Sequence, residues 1–163
     1  MTETWFKILE ELESPYTGSQ RLEDQLHALL IKGETYTLQK ADQFKTEIEF
    51  LAKIIVAHQD YVLKHGFFSD MFGDYMEQDG KLNSGTGQFL TPTCITEMMA
   101  QIVFGNNDFE RMQVFGDPAS GTGRFMLQTA KLYAEKTGKL NFLYVNTDID
   151  FRAYVYCVMN ARS

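Results

Sequence analysis

Apolar residues in the first 66 positions recur at intervals of three and four, which predicts three helices. The first helix spans residues 4–13, with an apolar face formed by Trp5, Ile8, Leu9 and Leu12. The second is predicted by Leu22, Leu26, Leu29 and Leu30 and ends near Gly33. The third runs from Lys40 to Gly66, a glycine that fits a C-terminal cap, and its apolar positions are Phe44, Ile48, Leu51, Ile55, Val62 and Leu63. Residues 1–66 are therefore predicted to form a helical N-terminal region.

Residues 67–163 alternate between helical and strand patterns. A short helix is predicted near residues 70–78, with core positions Met71, Phe72, Tyr75 and Met76. The stretch "TEMMAQIVFG" predicts a helix that turns Met98, Ile102 and Val103 inward. A short buried strand over Met112–Gly116, a helix over Gly123–Lys136, a second strand within "KLNFLYVNTD" and a helix in "FRAYVYCVMNA" follow. This order predicts an α/β fold with a parallel βαβ unit and a right-handed crossover.

Composition places the chain among folded proteins of one domain, or of a core with a helical appendage. It has 163 residues, 44% of them hydrophobic, with 13 phenylalanines and 8 tyrosines available for packing. Cys94 and Cys157 have no metal-ligand spacing, so we expect two buried thiols in a reducing cytosol and no metal site. The acidic, amphipathic N-terminus differs from a signal peptide, and no apolar run approaches a membrane span. We therefore expect a cytoplasmic protein without membrane association.

The net charge of −7 is unevenly distributed along the chain. Residues 1–80 contain 7 Lys and Arg against 15 Asp and Glu, whereas residues 81–163 contain 8 against 7. The first half is a poor surface for phosphate. If the protein binds nucleic acid, we expect the second half or another subunit to make that contact.

The most informative stretch is "VFGDPASGTGRFML", Val114 to Leu127, a glycine-rich loop between a predicted strand and a helix. A P-loop requires a lysine after its second conserved glycine, and Thr122 stands there instead. The dinucleotide fingerprint requires a third glycine, and Met126 occupies that position. The loop pattern therefore favours a third ligand, S-adenosylmethionine.

Each part of S-adenosylmethionine has a candidate partner in this region. Gly121 and Gly123 allow close approach of the ligand, and the helix N-terminus offers N–H groups to its carboxylate. Asp117 can pair with the ammonium group, Asp148 with the ribose hydroxyls, and Ile149 can pack on the adenine. The alternative is that Asp117 and Asp148 are strand-end carboxylates that cap helices.

Four segments of the chain, in the order expected, resemble the adenine-N6 DNA methyltransferase family, in particular the modification subunits of type I restriction systems. "DPASGTGRFML" resembles the cofactor loop of that family, and "GQFLTP", Gly87 to Pro92, resembles its second ligand-binding segment. "DMFGDYMEQ" resembles the helical passage before it, and "TDIDFRAYVYCVMNA" resembles the segment after the second strand, ending at an asparagine such as Asn160. The resemblance covers about residue 70 to the C-terminus.

The resemblance implies a partial Rossmann-like methyltransferase domain over residues 67–163 and S-adenosylmethionine as cofactor. The residues that it implies for cofactor binding are Phe89, Thr91, Pro92, Asp117, Ala119, Gly121, Gly123, Asp148 and Ile149. For "GQFLTP" the alternative is an ordinary loop before a helix, with Thr93 as the N-cap. The N-terminal helices resemble a region that contacts DNA or partner subunits in the family, although their acidity argues against direct DNA contact.

One family motif is missing, and this leaves two functions open. The catalytic motif (Asp/Asn)-Pro-Pro-(Tyr/Phe) holds the flipped adenine, and the chain contains only Asp117-Pro118 followed by Ala119. We therefore expect either the front part of a longer methyltransferase or a short, inactive relative that senses the cofactor or blocks a restriction system. A nucleotide-binding domain of another class is a further alternative. Two strands cannot bury both faces of a sheet, so we expect the helical region, a dimer, restriction-system subunits or another partner to cover it.

Overall fold

The computed structural model describes residues 3–13, 41–78 and 89–162. The chain divides into two compact units, residues 1–66 and residues 67–163. The second predicted helix, around Leu22 to Leu30, lies outside the described residues, as do Gly87 and Gln88 at the start of "GQFLTP".

The first unit contains two described helices, α1 at Thr4–Glu13 and α2 at Ala41–His65. Trp5 is fully buried on the predicted apolar face of α1, and its ring meets Tyr61 of α2 edge-on at 4.8 Å between ring centroids. The predicted C-terminal cap is confirmed, because Gly66 has a φ of 86° and its N–H donates to the Val62 carbonyl at 2.8 Å.

The buried face of α2 differs from the one predicted by its large apolar residues. Ile54 and Ala57 are buried alongside Tyr61, whereas Ile55 and Leu63 are 55% and 86% exposed. Helix α2 is apolar on more than one side. The side it buries includes the small residue Ala57, which permits close approach of another helix.

The second unit follows the predicted order of elements. They are α3 at Met71–Gln78, α4 at Thr93–Phe104, β1 at Gln113–Asp117, α5 at Arg124–Thr137, β2 at Phe142–Asn146 and α6 at Phe151–Arg162. Strands β1 and β2 pair in parallel, so that Gln113 lies opposite Phe142 and Asp117 lies opposite Asn146. The predicted parallel strand pair of an α/β fold is confirmed, and both strands end beside each other at the edge that carries the glycine loop.

One face of this sheet carries aromatic side chains that pack on α5, and the described side chains on the other face are exposed. Phe115 and Phe142 lie on the covered face, where both rings contact Tyr133 of α5. Val114, on the opposite face, is 67% exposed, and Leu143 and Val145 beside it are exposed too. The prediction of a buried first strand was therefore wrong. Alternate positions such as Phe115 are half-buried and the positions between them are exposed, because in a strand successive side chains point to opposite faces.

Helix α4 buries a different face from the one predicted. Met98, Ile102 and Val103, which we expected to point inward, are 51%, 73% and 54% exposed. The inward residues are Thr96, Ala100 and Phe104. The small side chain of Ala100 lets α4 approach α5 closely, where Ala100 and Phe104 pack with Leu132, whereas the larger stripe would hold the two helices apart.

None of the helices in the described part of the chain is both long enough and apolar enough to cross a membrane. Within residues 3–13, 41–78 and 89–162, no group of three or more His, Cys, Asp or Glu side chains is arranged to hold a metal ion.

Candidate cofactor-binding site

The glycine loop connects the end of β1 to the start of α5, and two of its glycines adopt left-handed conformations. Gly121 has a φ of 55° and Gly123 a φ of 89°, a region that side-chain-bearing residues rarely adopt. A Cβ at Gly123 would lie 2.9 Å from the Cys157 sulfur, whereas a Cβ at Gly121 would lie 3.2 Å from Leu90 Cδ2. The absence of a side chain at Gly123 therefore lets Cys157 pack against the loop. The absence of a side chain at Gly121 leaves space between the loop and Leu90.

The end of β2 holds the loop in shape through backbone and side-chain hydrogen bonds. The Thr147 N–H donates to the Asp117 carbonyl at 2.9 Å, and the Ser120 N–H donates to the Thr147 carbonyl at 3.1 Å. The Gly121 N–H donates to Asp148 Oδ2 at 2.7 Å, and Asp148 Oδ1 accepts the Asp150 N–H at 2.8 Å. The structure therefore brings Asp148 to the glycine loop, where its carboxylate fixes the loop conformation.

A cleft of about 250 Å³ lies between the loop and the segment that precedes α4. Five of the nine predicted site residues line it, namely Phe89, Thr91, Asp117, Ala119 and Gly121. Phe89 is 82% exposed, so its ring is available to a ligand. Pockets for complete drug-sized ligands measure about 300–1,000 Å³, so this cleft has the size of part of such a pocket.

The other four predicted residues, Pro92, Gly123, Asp148 and Ile149, do not line the cleft. Gly123 is buried and forms the N-cap of α5, while Pro92 forms the N-cap of α4. Thr93 is the first residue of that helix and makes no cap, so the alternative interpretation of "GQFLTP" was wrong on this point. Asp148 contacts the loop from the side of β2, and Ile149 beside it is fully exposed.

The hydrogen bonds test the alternative that Asp117 and Asp148 are strand-end carboxylates that cap helices. Asp117 Oδ1 accepts the Ala119 N–H at 3.1 Å within the loop, and Asp117 also lines the cleft. The residue that caps α6 is Asp150, whose Oδ1 accepts the Arg152 N–H at 2.9 Å. Asp117 and Asp148 therefore brace the glycine loop, and neither caps a helix.

An ion cluster adjoins the cleft, and its centre is the buried side chain of Arg124, the first residue of α5, which also lines the cleft. The Arg124 guanidinium donates to Asp70 at 2.8 Å, Asp74 at 2.7 Å and Glu77 at 3.0 Å, all from the start or face of α3. It also donates to the carbonyl of Thr91 at 3.3 Å. The cluster thus connects α3, the segment before α4 and the glycine loop.

Asp70 is the most enclosed member of this cluster, at 3% exposure. It accepts hydrogen bonds from the Gly73 N–H, the Thr122 hydroxyl and Asn160 as well as Arg124. Burial raises the pKa of the Asp70 carboxyl, and the nearby guanidinium and the other donors oppose this shift. Burial acts to lower the pKa of Arg124, but its three acidic neighbours outweigh burial and raise that pKa above its usual value.

Asn160 connects α6 to the same cluster. Its side-chain amide donates to Asp70 Oδ1 at 2.6 Å and to the Thr122 carbonyl at 2.9 Å. Asn160, at the end of the fourth family-like segment, therefore helps to hold the glycine loop, although it lies 38 residues after Thr122 in the sequence.

Our sequence reasoning missed the role of Arg124. The available signal was the spacing of Asp70, Asp74 and Glu77, which fall four and three residues apart and therefore share one helix face. A carboxylate stripe beside buried Met71 and Phe72 requires a cation, and the arginine after the glycine loop supplies it.

Comparison with known proteins gives the family. Residues 64–162 match the family described as N-6 DNA Methylase. The chain is also 32% identical over 137 residues to the type I restriction enzyme MpnII methylase subunit of Mycoplasma pneumoniae. That alignment covers 78% of this chain but 23% of the relative, so the chain spans about a quarter of the length of the protein it matches. No solved structure matches. With more than half of its residues matched, including the glycine loop, the cleft and the Arg124 cluster, the chain belongs to the N-6 DNA methylase family.

Proposed function

We propose that residues 67–163 bind S-adenosylmethionine in the cleft between the glycine loop and the Phe89–Pro92 segment. The observation that carries this proposal is the position of Asp117 and Gly121 on the wall of one cleft, with the Asp148 carboxylate on the Gly121 N–H. The N-6 DNA methylase family generally uses this cofactor. When bound, S-adenosylmethionine supplies a methyl group on a positively charged sulfur, which makes that carbon electrophilic.

The charges around the cleft favour a cationic ligand over a phosphate. Among the described residues that line the cleft, Arg124 is the basic one, and three carboxylates already surround its guanidinium. A nucleotide phosphate would therefore meet no available cation there, whereas Asp117 can accept hydrogen bonds from an ammonium group. This argument supports S-adenosylmethionine and disfavours a nucleotide-binding domain of another class.

The shape of the loop also fits the cofactor. Gly121 carries no Cβ on the cleft wall, and helix α5 starts beside the cleft, where the first N–H groups of a helix lack partners within it. These groups would hold the carboxylate of the methionine moiety. Asp148 would hold the ribose with the lone pairs that its two backbone contacts leave, and exposed Phe89 and Ile149 would contact the sulfonium side and the adenine.

Methyl transfer to adenine N6 in DNA needs groups beyond this cleft. The chain has no (Asp/Asn)-Pro-Pro-(Tyr/Phe) motif, so we propose that further sequence or a partner subunit supplies the pocket for the flipped base. The relative's description as a methylase subunit of a restriction enzyme supports the proposal that DNA and restriction-system subunits are the partners. In that assembly this chain would hold and orient the methyl donor.

Calorimetric titration of the folded chain with S-adenosylmethionine tests the proposal. We expect binding, and we expect Asp117→Ala and Asp148→Ala to weaken it at least tenfold, since each removes a charged hydrogen-bond acceptor. Asp108→Ala is the matched control, because Asp108 is an exposed carboxylate outside the cleft, paired with Arg111. Titrations with ATP and NAD address the alternative ligand classes. The proposal would be refuted by a folded chain that does not bind S-adenosylmethionine, or that binds ATP or NAD more tightly.

A further inference from the structure

The cleft has two walls, the glycine loop and the segment around Thr91. Arg124 belongs to the first wall and its side chain contacts the second. Its backbone follows the glycine loop directly, and its Nη1 donates to the Thr91 carbonyl on the opposite wall at 3.3 Å. Thr91 and Arg124 are 33 residues apart in sequence. The guanidinium therefore connects the glycine loop to the Thr91 segment, which are far apart in the sequence.

The planar guanidinium is suited to this connection because its nitrogens serve different partners. Nε donates to Asp70, Nη2 donates to Asp74 and Glu77, and Nη1 donates to Glu77 and the Thr91 carbonyl. The side chain is 6% exposed, so its orientation is fixed on several sides. A lysine carries the same charge on one nitrogen and lacks this fork of donors.

From this geometry we infer that Arg124 is a positioning residue, which sets the separation between the Thr91 wall and the glycine loop so that both can contact the cofactor at once. The inference rests on the proposed function. Arg124 does not itself hold the ligand, since its donors are occupied by Asp70, Asp74, Glu77 and Thr91. It acts through the Thr91 segment, and the carboxylates of α3 hold it in the required orientation.

The informative substitution is Arg124→Lys. Removal of the positive charge would leave Asp70 buried without its cation, and such a variant is strongly destabilised. Lysine retains a charge that can pair with Asp70 while it gives up the contact with the Thr91 carbonyl. We expect Arg124→Lys to fold and to bind S-adenosylmethionine at least tenfold more weakly than the unmodified chain.

A control variant separates positioning from a general loss of stability. Val155→Ala removes volume from a fully buried position on α6 that does not line the cleft. We expect this variant to lower the melting temperature while the affinity for S-adenosylmethionine stays within twofold. If Arg124→Lys does not fold, Glu77→Gln is the second variant, because Glu77 is partly exposed and holds two of the guanidinium nitrogens. We expect it to weaken binding at least threefold.

Hydrogen exchange of the full chain provides a readout that needs no ligand. In Arg124→Lys we expect faster backbone exchange over residues 89–96 and unchanged exchange in β1 and β2. If the unmodified chain does not bind S-adenosylmethionine, the proposed function fails, and the exchange result still decides whether Arg124 positions the Thr91 wall. Unchanged exchange there, or equal affinity in a folded Arg124→Lys chain, would overturn the inference.

Discussion

The two left-handed glycines of the loop should respond differently to the same substitution. Gly121→Ala and Gly123→Ala each add one methyl group to a residue with positive φ, at 55° and 89°. The new methyl at Gly121 would point at the flexible end of Leu90, 3.2 Å away, on the wall of the cleft. The new methyl at Gly123 would meet the Cys157 sulfur at 2.9 Å and Met126 Cε at 3.2 Å. The first change therefore alters the cleft, and the second alters the core.

The expected magnitudes follow from these contacts. A left-handed conformation costs an L-residue about 1–2 kcal/mol relative to glycine, and this applies to both variants. Overpacking in a filled core adds about 1–3 kcal/mol, which applies to Gly123→Ala because Cys157 and Met126 are buried. The free energy of unfolding should therefore fall by about 1–2 kcal/mol for Gly121→Ala and by about 2–5 kcal/mol for Gly123→Ala.

Urea unfolding followed by far-ultraviolet circular dichroism measures these differences. Tryptophan fluorescence is unsuitable, because the single tryptophan, Trp5, belongs to residues 1–66, whereas both substituted glycines belong to residues 67–163. Calorimetric titration with S-adenosylmethionine on the same samples supplies the second measurement. We expect Gly121→Ala to weaken the binding of S-adenosylmethionine, even though it lowers the free energy of unfolding less than Gly123→Ala does.

The reasoning would be refuted by equal losses of stability in the two variants. Such a result would mean that backbone strain alone governs both positions and that the Cβ contacts do not matter. A Gly121→Ala chain with unchanged affinity would also count against the cleft as the cofactor site.

Two further predictions concern the titratable side chains of His58, Cys94 and Cys157. Burial lowers the pKa of His58, so the unfolded chain takes up a proton near pH 6.5 that the folded chain resists. We expect the stability of the helical unit to fall as the pH drops below about 6.5, and we expect His58→Gln to weaken that dependence. Burial raises the pKa of Cys157 to about 11, whereas Cys94 is exposed, so the expectation of two buried thiols was wrong for Cys94. A maleimide should therefore label Cys94 within the folded chain and Cys157 only on unfolding, and rapid double labelling of the native chain would contradict the burial of Cys157.

Local order was predictable from the sequence because its causes are local. The periodicity of Trp5, Ile8, Leu9 and Leu12 predicts α1, and strand-like runs on either side of a helix predict the parallel pair β1 and β2. The glycine loop was also predictable, since a chain that turns from strand to helix needs residues that tolerate positive φ, and Gly121 and Gly123 supply them.

Which face an element buries was decided by its neighbours. Helix α4 has a large apolar stripe with Met98, Ile102 and Val103, yet it packs on α5 through Ala100 and Phe104. Periodicity shows that a helix has an apolar face, but it does not show which face fits closely against another helix.

Contacts over long sequence separations were beyond the reach of any local pattern. Asp148 meets the Gly121 N–H across 27 residues, and Arg124 meets Asp70 across 54. A carboxylate in a sequence can be a cap, a ligand or half of an ion pair, and only its partners in space distinguish these roles. The sequence by itself determined the elements of residues 67–163, their order and the family to which the chain belongs. The tertiary structure decided that Asp148 braces the loop and that Arg124 joins the walls of the cleft, because both depend on which segments the fold brings together.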